Sequence, residues 1–301
     1  MRLLVSGSTG LIGTALTGRL IEAGHHVTRL VRPATRRRAA DAREWDPASG
    51  ALDPRAFAGV DGVIHVGGAS IGSLWTRGRK TLLRQSRIGT TRLLAERMAE
   101  SNPRPAVFVH ASAVGIYGDR GDEVLTESSA PGSGFLADLC RDWEAASSPA
   151  ESAGVRVVRV RTALAMSGRG GVFPLMRRLF GLGLGARVGS GRQWMPWIAL
   201  EDLVSVYVRA VEDAGVRGAV NAAAPEAVTN AAFTRVLARA MRRPALFVVP
   251  AFAFRMLPGG MGEDTALVSE RVAPEALLRA GFRFRFPALA PALEAIASER
   301  P

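Results

Sequence analysis

The sequence predicts an α/β protein with a doubly wound, mostly parallel sheet and a smaller C-terminal α+β part. Two observations predict it. Short apolar runs of strand type alternate with stretches of helical periodicity through the first half of the chain. The first such strand and helix also enclose three glycines, Gly7, Gly10 and Gly13, spaced G-x-x-G-x-x-G.

Arg2 to Ser6 forms the opening strand, and Leu11 to Ala23 the helix that follows the glycines. A strand, this spacing and a helix together make a cradle for a dinucleotide pyrophosphate. Gly7 allows a sharp turn, Gly10 lets backbone approach phosphate without a Cβ, and Gly13 lets helix and strand pack closely. The N–H groups of the helix N-terminus then face the anion. The fold class is therefore of Rossmann type. Gly24 ends the helix, and His26 to Val31 is the second strand. The residue at its end selects the cofactor: an acid accepts from the ribose 2′-OH of NAD, whereas Arg pairs with the 2′-phosphate of NADP. Here Val31 is followed by Arg32, with Arg36 to Arg38 beyond and no acid until Asp41, so NADP is favoured. The alternative is that Arg32 is a solvated strand-end charge.

Glu44 to Asp46 reads as a short strand, Asp53 to Phe57 as a short helix, and Asp61 to Val66 as a buried strand running into Gly67-Gly68. Small residues there let a cofactor approach the sheet edge. His65 reads as a strand-end packing residue rather than a catalyst. A polar loop over 70–80 precedes a long helix over 81–101, and Ala106 to His110 is the next strand. A helix over 135–147 and a strand over 155–160 complete the alternation. Beyond Arg161 come a helix over 172–182, a glycine-rich stretch over 183–191 and a strand-like Gln193 to Ile198. A helix over 200–212, a last sheet strand over 219–222 and helices over 231–241, 274–279 and 289–296 follow. This divides the chain into a nucleotide-binding domain, 1–165 with 198–223 returning to it, and a smaller substrate domain, 166–197 with 224–301.

The chain has 301 residues, 48 % of them hydrophobic, enough for a large core. Its single cysteine, Cys140, excludes an internal disulfide and suits a reducing cytoplasm. No signal peptide or run of about twenty apolar residues is visible, so no membrane partner is expected. The formal charge of +12 is nearly all arginine, Lys80 being the one lysine. Because Arg is scattered and only two tyrosines accompany it, nucleic acid is not expected as a partner. No metal site is expected either.

Four stretches together resemble the extended short-chain dehydrogenase/reductase superfamily, and within it the NAD-dependent epimerase/dehydratase-like branch with a C-terminal domain of unknown role. They are Gly7 to Gly13; Trp75-Thr76-Arg77 through Ser86-Arg87-Ile88-Gly89-Thr90; Gln193 to Asp202, with Ala199 where the branch usually has His; and Arg271 to Pro274 with Leu277 to Pro287. The resemblance implies NADP(H) held by Gly7, Thr9, Gly10, Leu11, Ile12 and Gly13, with Arg32 on the 2′-phosphate. It sets Val66, Gly67 and Gly68 beside the adenosine, and brings Arg87 to the cofactor.

The superfamily's chemistry uses a Ser or Thr, a Tyr and a Lys four residues after that Tyr. This chain lacks the pair: Gly121 and Val211 stand four residues after Tyr117 and Tyr207. The helix that should carry it offers Phe135/Leu139 or Leu136/Cys140, both inert as acid/base pairs. The polar groups left are Ser112 and Tyr117, with Asp138 nearby, and these are the candidate catalytic residues. Arg192, Gln193 and Trp197 are the candidate substrate contacts. The expected function is an NADP-preferring epimerase/dehydratase-like oxidoreductase acting on a small molecule of unknown identity. The alternative is a non-catalytic NADP(H)-binding sensor or regulator, in keeping with the branch's link to cell division. A purely structural protein is disfavoured by the intact glycine loop. The oligomeric state is open, a homodimer being one option.

Overall fold

Apolar β-branched residues bounded by glycine turns set the strands, and a computed structural model, which describes residues 1–33, 35 and 41–298, shows how they assemble. Arg36, Arg37 and Arg38 of the basic run lie outside the described residues. The first half runs β1 (Arg2–Ser6), α1 (Leu11–Glu22), β2 (His26–Val31), β3 (Ala42–Asp46), β4 (Ala51–Leu52), β5 (Gly62–His65), α2 (Arg77–Arg84), α3 (Thr90–Glu100) and β6 (Val107–Ala113). Next come β7 (Val124–Leu125), α4 (Phe135–Ala145), α5 (Ser148–Ser152), β8 (Arg156–Thr162) and β9 (Leu164–Met166). The remainder is α6 (Phe173–Gly181), β10 (Ala186–Val188), β11 (Trp197–Ala199), α7 (Leu200–Glu212), β12 (Gly218–Ala222), α8 (Asn230–Ala240), β13 (Phe247–Val249), α9 (Ala251–Arg255), β14 (Arg271–Val272), α10 (Glu275–Arg279) and α11 (Leu289–Ser298).

Eight strands form the main sheet in the order β12-β8-β6-β5-β1-β2-β3-β4, parallel except for the β3–β4 pair. The chain winds outward from β1 through β2 to β3, then returns to β5 and winds the other way. The reversal lies between β1 and β5, where Leu3 to Ser6 pair with Gly62 to His65. Open α/β sheets bind ligands at such a switch point, beyond the carboxyl ends of the strands. Helices cover both faces, so β5 and β6 are buried almost throughout.

Three expectations are refined. The helix expected over 81–101 begins earlier, at Arg77, because the Thr76 hydroxyl caps it by accepting from the Arg79 N–H at 3.2 Å. A π turn at Gln85–Gly89 then separates α2 from α3. Of the strand-like 193–198 stretch, only Trp197 onward is a strand, paired with β9. Met195 instead donates its N–H to Val228 O at 2.9 Å. The glycine-rich 183–191 stretch contains β10, which pairs in parallel with β13.

The C-terminal residues gather an apolar cluster of their own around Phe173, Phe180, Trp197, Phe233, Leu237, Leu289 and Leu293. Two of the recognised stretches clamp it to the sheet. Asp202, 2 % exposed at the start of α7, accepts from the N–H groups of Arg285 at 2.7 Å and Phe286 at 2.9 Å. Glu201 beside it pairs with the Arg285 guanidinium.

Candidate functional site

The glycine loop is held by contacts that only glycine permits. Gly7 has a φ of +78°, and a Cβ there would lie 2.5 Å from the Gly67 N. A Cβ on Gly13 would lie 2.0 Å from the Gly7 O. The two glycines thus fix α1, β1 and the end of β5 against one another. Gly10 differs: it is exposed, and a Cβ there would meet only the Gly7 O, at an ordinary 3.5 Å. Its open side is the surface a ligand would use. The first turn of α1 has no side-chain cap and no acid, so its N–H groups are uncommitted to side chains. Beside the loop, the buried Ser8 hydroxyl has no partner. An anionic dinucleotide pyrophosphate fits this donor-rich, acid-free cradle.

The end of β5 is built with equal economy. Ser86, in the π turn, accepts from the Ala69 N–H at 3.0 Å, which pins the chain just after Gly68. Arg87 lies over Gly68, its Cζ 3.3 Å from where a Cβ would stand, and rests on the Trp143 ring at 5.2 Å. Burial pulls the Arg87 guanidinium below its ordinary pKa. The π turn therefore aims the Ser-Arg pair at the crevice, a common use of such turns. His65, fully buried, shares hydrogen bonds with Ser6 at 2.5 Å and Thr90 at 3.0 Å. Burial, with His110 nearby, pushes its pKa down to about 3, so it is a neutral packing residue. Val31 is buried and Arg32 exposed at the end of β2, while Arg29 is committed to Asp41.

At the carboxyl end of β6 the sequence places no relay pair, and the structure shows what stands there. Phe135 packs edge-on against Trp75 at 5.1 Å, and the lone lysine, Lys80, lies over the Phe135 ring at 4.5 Å. Leu139 is buried with Trp75 and Leu83. Ser112 and Tyr117 do come together, through a buried ion pair. Arg161 donates to both carboxylate oxygens of Glu144, at 2.8 and 2.9 Å. Ser112 donates to Glu144 at 2.7 Å, and Arg161 donates to the Tyr117 oxygen at 2.9 Å. Tyr117, fully buried, donates in turn to Asn221 at 2.7 Å. Burial pushes the Tyr117 phenol up, with Arg161 pulling against it. Cys140 is buried beside them, its thiol pushed up to about 12 by burial and then by Glu144. Asp138 faces the other way, paired with Arg141.

A cavity of about 290 Å³ opens beside this turn, one strand along from Gly67. Gly115, Gly118 and Asp119 line one side, Leu136 and Ala137 of α4 another, and Arg255, Asp264, Leu267 and Glu270 of the C-terminal part the third. Asp264 accepts from the Leu136 N–H at 3.2 Å, and so caps α4 from outside it. Glu270 is 6 % exposed, and its Oε1 has no hydrogen-bond partner. Burial, then Asp119 and Asp264, pushes its carboxyl up to about 8.

None of the three expected substrate contacts lines this cavity. Trp197 is 1 % exposed in the C-terminal core, its indole donating to Glu226 O at 3.1 Å. Gln193 ties together Val188 O and Ala266 O, and Arg192 is exposed. Trp197 is drawn into the apolar core as large apolar side chains generally are, whereas Trp194, Met195 and Pro196 before it stay half-buried. Glu144, Arg161 and Glu270 escaped the sequence reading, since no motif or spacing marks any of them and their partners lie far off in the chain. Among the described residues, no helix is long and apolar enough to cross a membrane, and no group of three or more His, Cys, Asp or Glu is arranged to hold a metal ion.

The sequence model of the NAD dependent epimerase/dehydratase family matches residues 3–223, and that of a domain of unknown function, DUF1731, matches residues 249–296. The chain is 43 % identical over 298 residues to an epimerase family protein of Mycobacterium bovis, covering 99 % of this chain and 97 % of that one. The crystal structure of the human epimerase family protein SDR39U1 with NADPH superimposes with a TM-score of 0.90 at 32 % identity, covering all of both chains. A nucleoside-diphosphate sugar epimerase from Corynebacterium glutamicum gives 0.82 at 38 % identity, covering 99 % of this chain and 58 % of that one.

Proposed function

Because the chain belongs to the NAD dependent epimerase/dehydratase family, we propose that it binds NADP(H) and works as an oxidoreductase without the Tyr-x-x-x-Lys pair. One observation carries this: Gly10 stands open at the uncapped N-terminus of α1, while Gly7 and Gly13 lock the loop around it. Gly7, Thr9, Gly10, Leu11, Ile12 and Gly13 would hold the pyrophosphate, and Arg32, following Val31, the 2′-phosphate. Val66, Gly67 and Gly68 would flank the adenosine, with Arg87 above Gly68. The NADPH in the human relative's structure supports the choice of cofactor. The cofactor, when bound, supplies hydride chemistry at the carboxyl edge of the sheet. There, Ser112 and Tyr117 serve turnover through the Arg161–Glu144 pair, which fixes the turn after β6. With one cysteine in the chain, we infer a cytoplasmic protein acting on a small molecule.

A second reading, a non-catalytic NADP(H) sensor, draws on the same end of the sheet. Phe and Leu occupy positions 135 and 139, and both candidate hydroxyls are engaged by Glu144, Asn221 and Arg161. Titration with NADPH and NADH, followed by nicotinamide fluorescence, tests the shared claim. NADPH is expected to bind at least about tenfold more tightly; equal midpoints would refute it. Oxidation of NADPH in the presence of a panel of carbonyls and sugar nucleotides separates the two readings. Turnover that falls in Tyr117→Phe and Ser112→Ala supports the enzyme, and silence across the panel despite tight cofactor binding supports the sensor.

A further inference from the structure

The cavity beside the turn after β6 carries a charge opposite to that of the whole chain. The protein is formally +12, yet Asp119, Glu263, Asp264 and Glu270 line this space against a single cation, Arg255. Much of that acidity is already answered. Glu263 faces Arg255 at 4.0 Å, Asp264 accepts from the Leu136 N–H, and Asp119 accepts from the N–H groups of Gly121 at 3.2 Å and Ser269 at 3.3 Å. Glu270 is the exception: it is 6 % exposed, it lines the cavity, and its Oε1 has no partner. A buried carboxyl oxygen without a donor is costly, and a ligand that brings the donor recovers that cost.

We propose that this cavity binds a small substrate through a protonated nitrogen, with Glu270 and Asp119 as its counter-charges, and that it excludes phosphorylated sugars. The inference rests on the reading above that substrate meets cofactor at the carboxyl edge of the sheet. Size agrees: about 290 Å³ holds one small ring and is at the lower limit for ligand pockets, too small for a nucleoside diphosphate. So does charge, since a phosphate here would face carboxylates with only Arg255 in its favour. Leu136, Leu267 and Val268 supply an apolar wall for a carbon ring. A protonated nitrogen also needs no proton from the protein, and no Tyr, Lys or His lines the cavity.

The proposal fixes how binding responds to pH. Glu270 is faced by Asp119 from the turn after β6, by Asp264 and Glu263 from the segment after α9, by Arg255 of α9 and by Cys140 of α4. Burial, and then the Asp119 and Asp264 carboxylates, push its carboxyl up to about 8. An ammonium ligand favours the ionised form, so binding near neutral pH releases a proton and tightens as pH rises toward 8.

The experiment is calorimetric titration of the full chain near neutral pH with cyclohexylamine, cyclohexanecarboxylate and glucose 1-phosphate, in buffers of differing ionisation enthalpy. NADPH is titrated separately. Cyclohexylammonium should bind saturably with proton release, and the two anions at least about tenfold more weakly. Glu270→Gln should weaken the amine about tenfold and abolish the proton release while leaving NADPH affinity unchanged. Asp119→Asn, which keeps the acceptor for the Gly121 and Ser269 N–H groups, should weaken it too. Three outcomes overturn the proposal: the phosphate binding as tightly as the amine, full amine affinity in a folded Glu270→Gln, or no saturable amine binding. Amine binding without NADPH binding would support the cavity and overturn the cofactor reading alone.

Discussion

At the β1–β5 crossing the protein is shaped by side chains it does not have. Gly13 meets Gly7, and Gly7 meets Gly67, backbone to backbone; a Cβ on Gly7 or Gly13 would come within 2.5 Å of that backbone. At β6 and β8, on the same sheet edge, the construction is the reverse. Arg161, Glu144, Tyr117, Asn221 and Ser112 fill the interior with charge and hydroxyl, each answering another. The first region is rigid because nothing larger fits, and it leaves its donors open for a ligand. The second is rigid because its polar groups are spent on one another. An open donor cradle and a satisfied polar core can therefore share one sheet edge, and only the first has groups left to offer a ligand.

The largest test of that contrast is Glu144→Ala. It leaves the Arg161 guanidinium, whose side chain is 9 % exposed, without its carboxylate and takes the acceptor from Ser112. Breaking a buried pair by removing one partner costs about 3–5 kcal/mol, readable as a lower urea midpoint. NADPH affinity of the folded fraction should stay close to that of the parent. If the two fall together, the two ends of the sheet act as one unit and the contrast fails.

Gly13→Ala probes the other side. The added Cβ falls 2.0 Å from the Gly7 O, a backbone atom that cannot swing away, so the loop must open. NADPH affinity should fall about a hundredfold, or about 2.7 kcal/mol, with the helical content seen by circular dichroism retained. Unchanged NADPH binding would mean that the cradle is not the nucleotide site.

Glu270 lies outside both designs, as a buried acid whose Oε1 has no hydrogen-bond partner. Its carboxyl is raised from the ordinary 4.5 to about 8, so the fold holds a proton that the unfolded chain has lost. Its contribution to stability is complete below pH 4.5 and is lost as pH climbs through 8. Glu270→Gln should therefore match the parent in acid and gain on it steadily across that window, by at most about 1.4 kcal/mol per pH unit. Parallel melting curves at every pH would show that a partner satisfies the acid.

These differences explain what could be read in advance. The glycine loop and the alternation of strands and helices are legible because backbone constraint leaves a fixed spacing, and alternation leaves a period. The Ser86-Arg87 pair was visible only as a resemblance, and the structure supplies its job of pinning Ala69 and covering Gly68. The π turn that aims the pair was not legible, since the helical pattern runs straight through it. Trp197 misled because a bulky residue in a distinctive stretch suits either a pocket or a core, and here it is core. Glu270 could not be found at all: its cavity exists only once a segment near residue 269 folds back on Asp119, 150 residues earlier.

The smallest effect belongs to Arg32, the residue proposed to specify the cofactor. Arg32 is exposed at the end of β2, so its pairing with a 2′-phosphate is screened by water and ions, and about tenfold, or 1.4 kcal/mol, is the discrimination to expect. Arg32→Ala should remove most of the preference for NADPH while leaving NADH affinity unchanged, because NADH has nothing there to lose. Rising salt should erode the parent's preference in the same direction and barely touch the variant. Arg29 is no substitute, since Asp41 already holds it. A preference that survives Arg32→Ala would show that the end of β2 does not select the cofactor, and would leave the arginines at 36–38 as the next residues to replace.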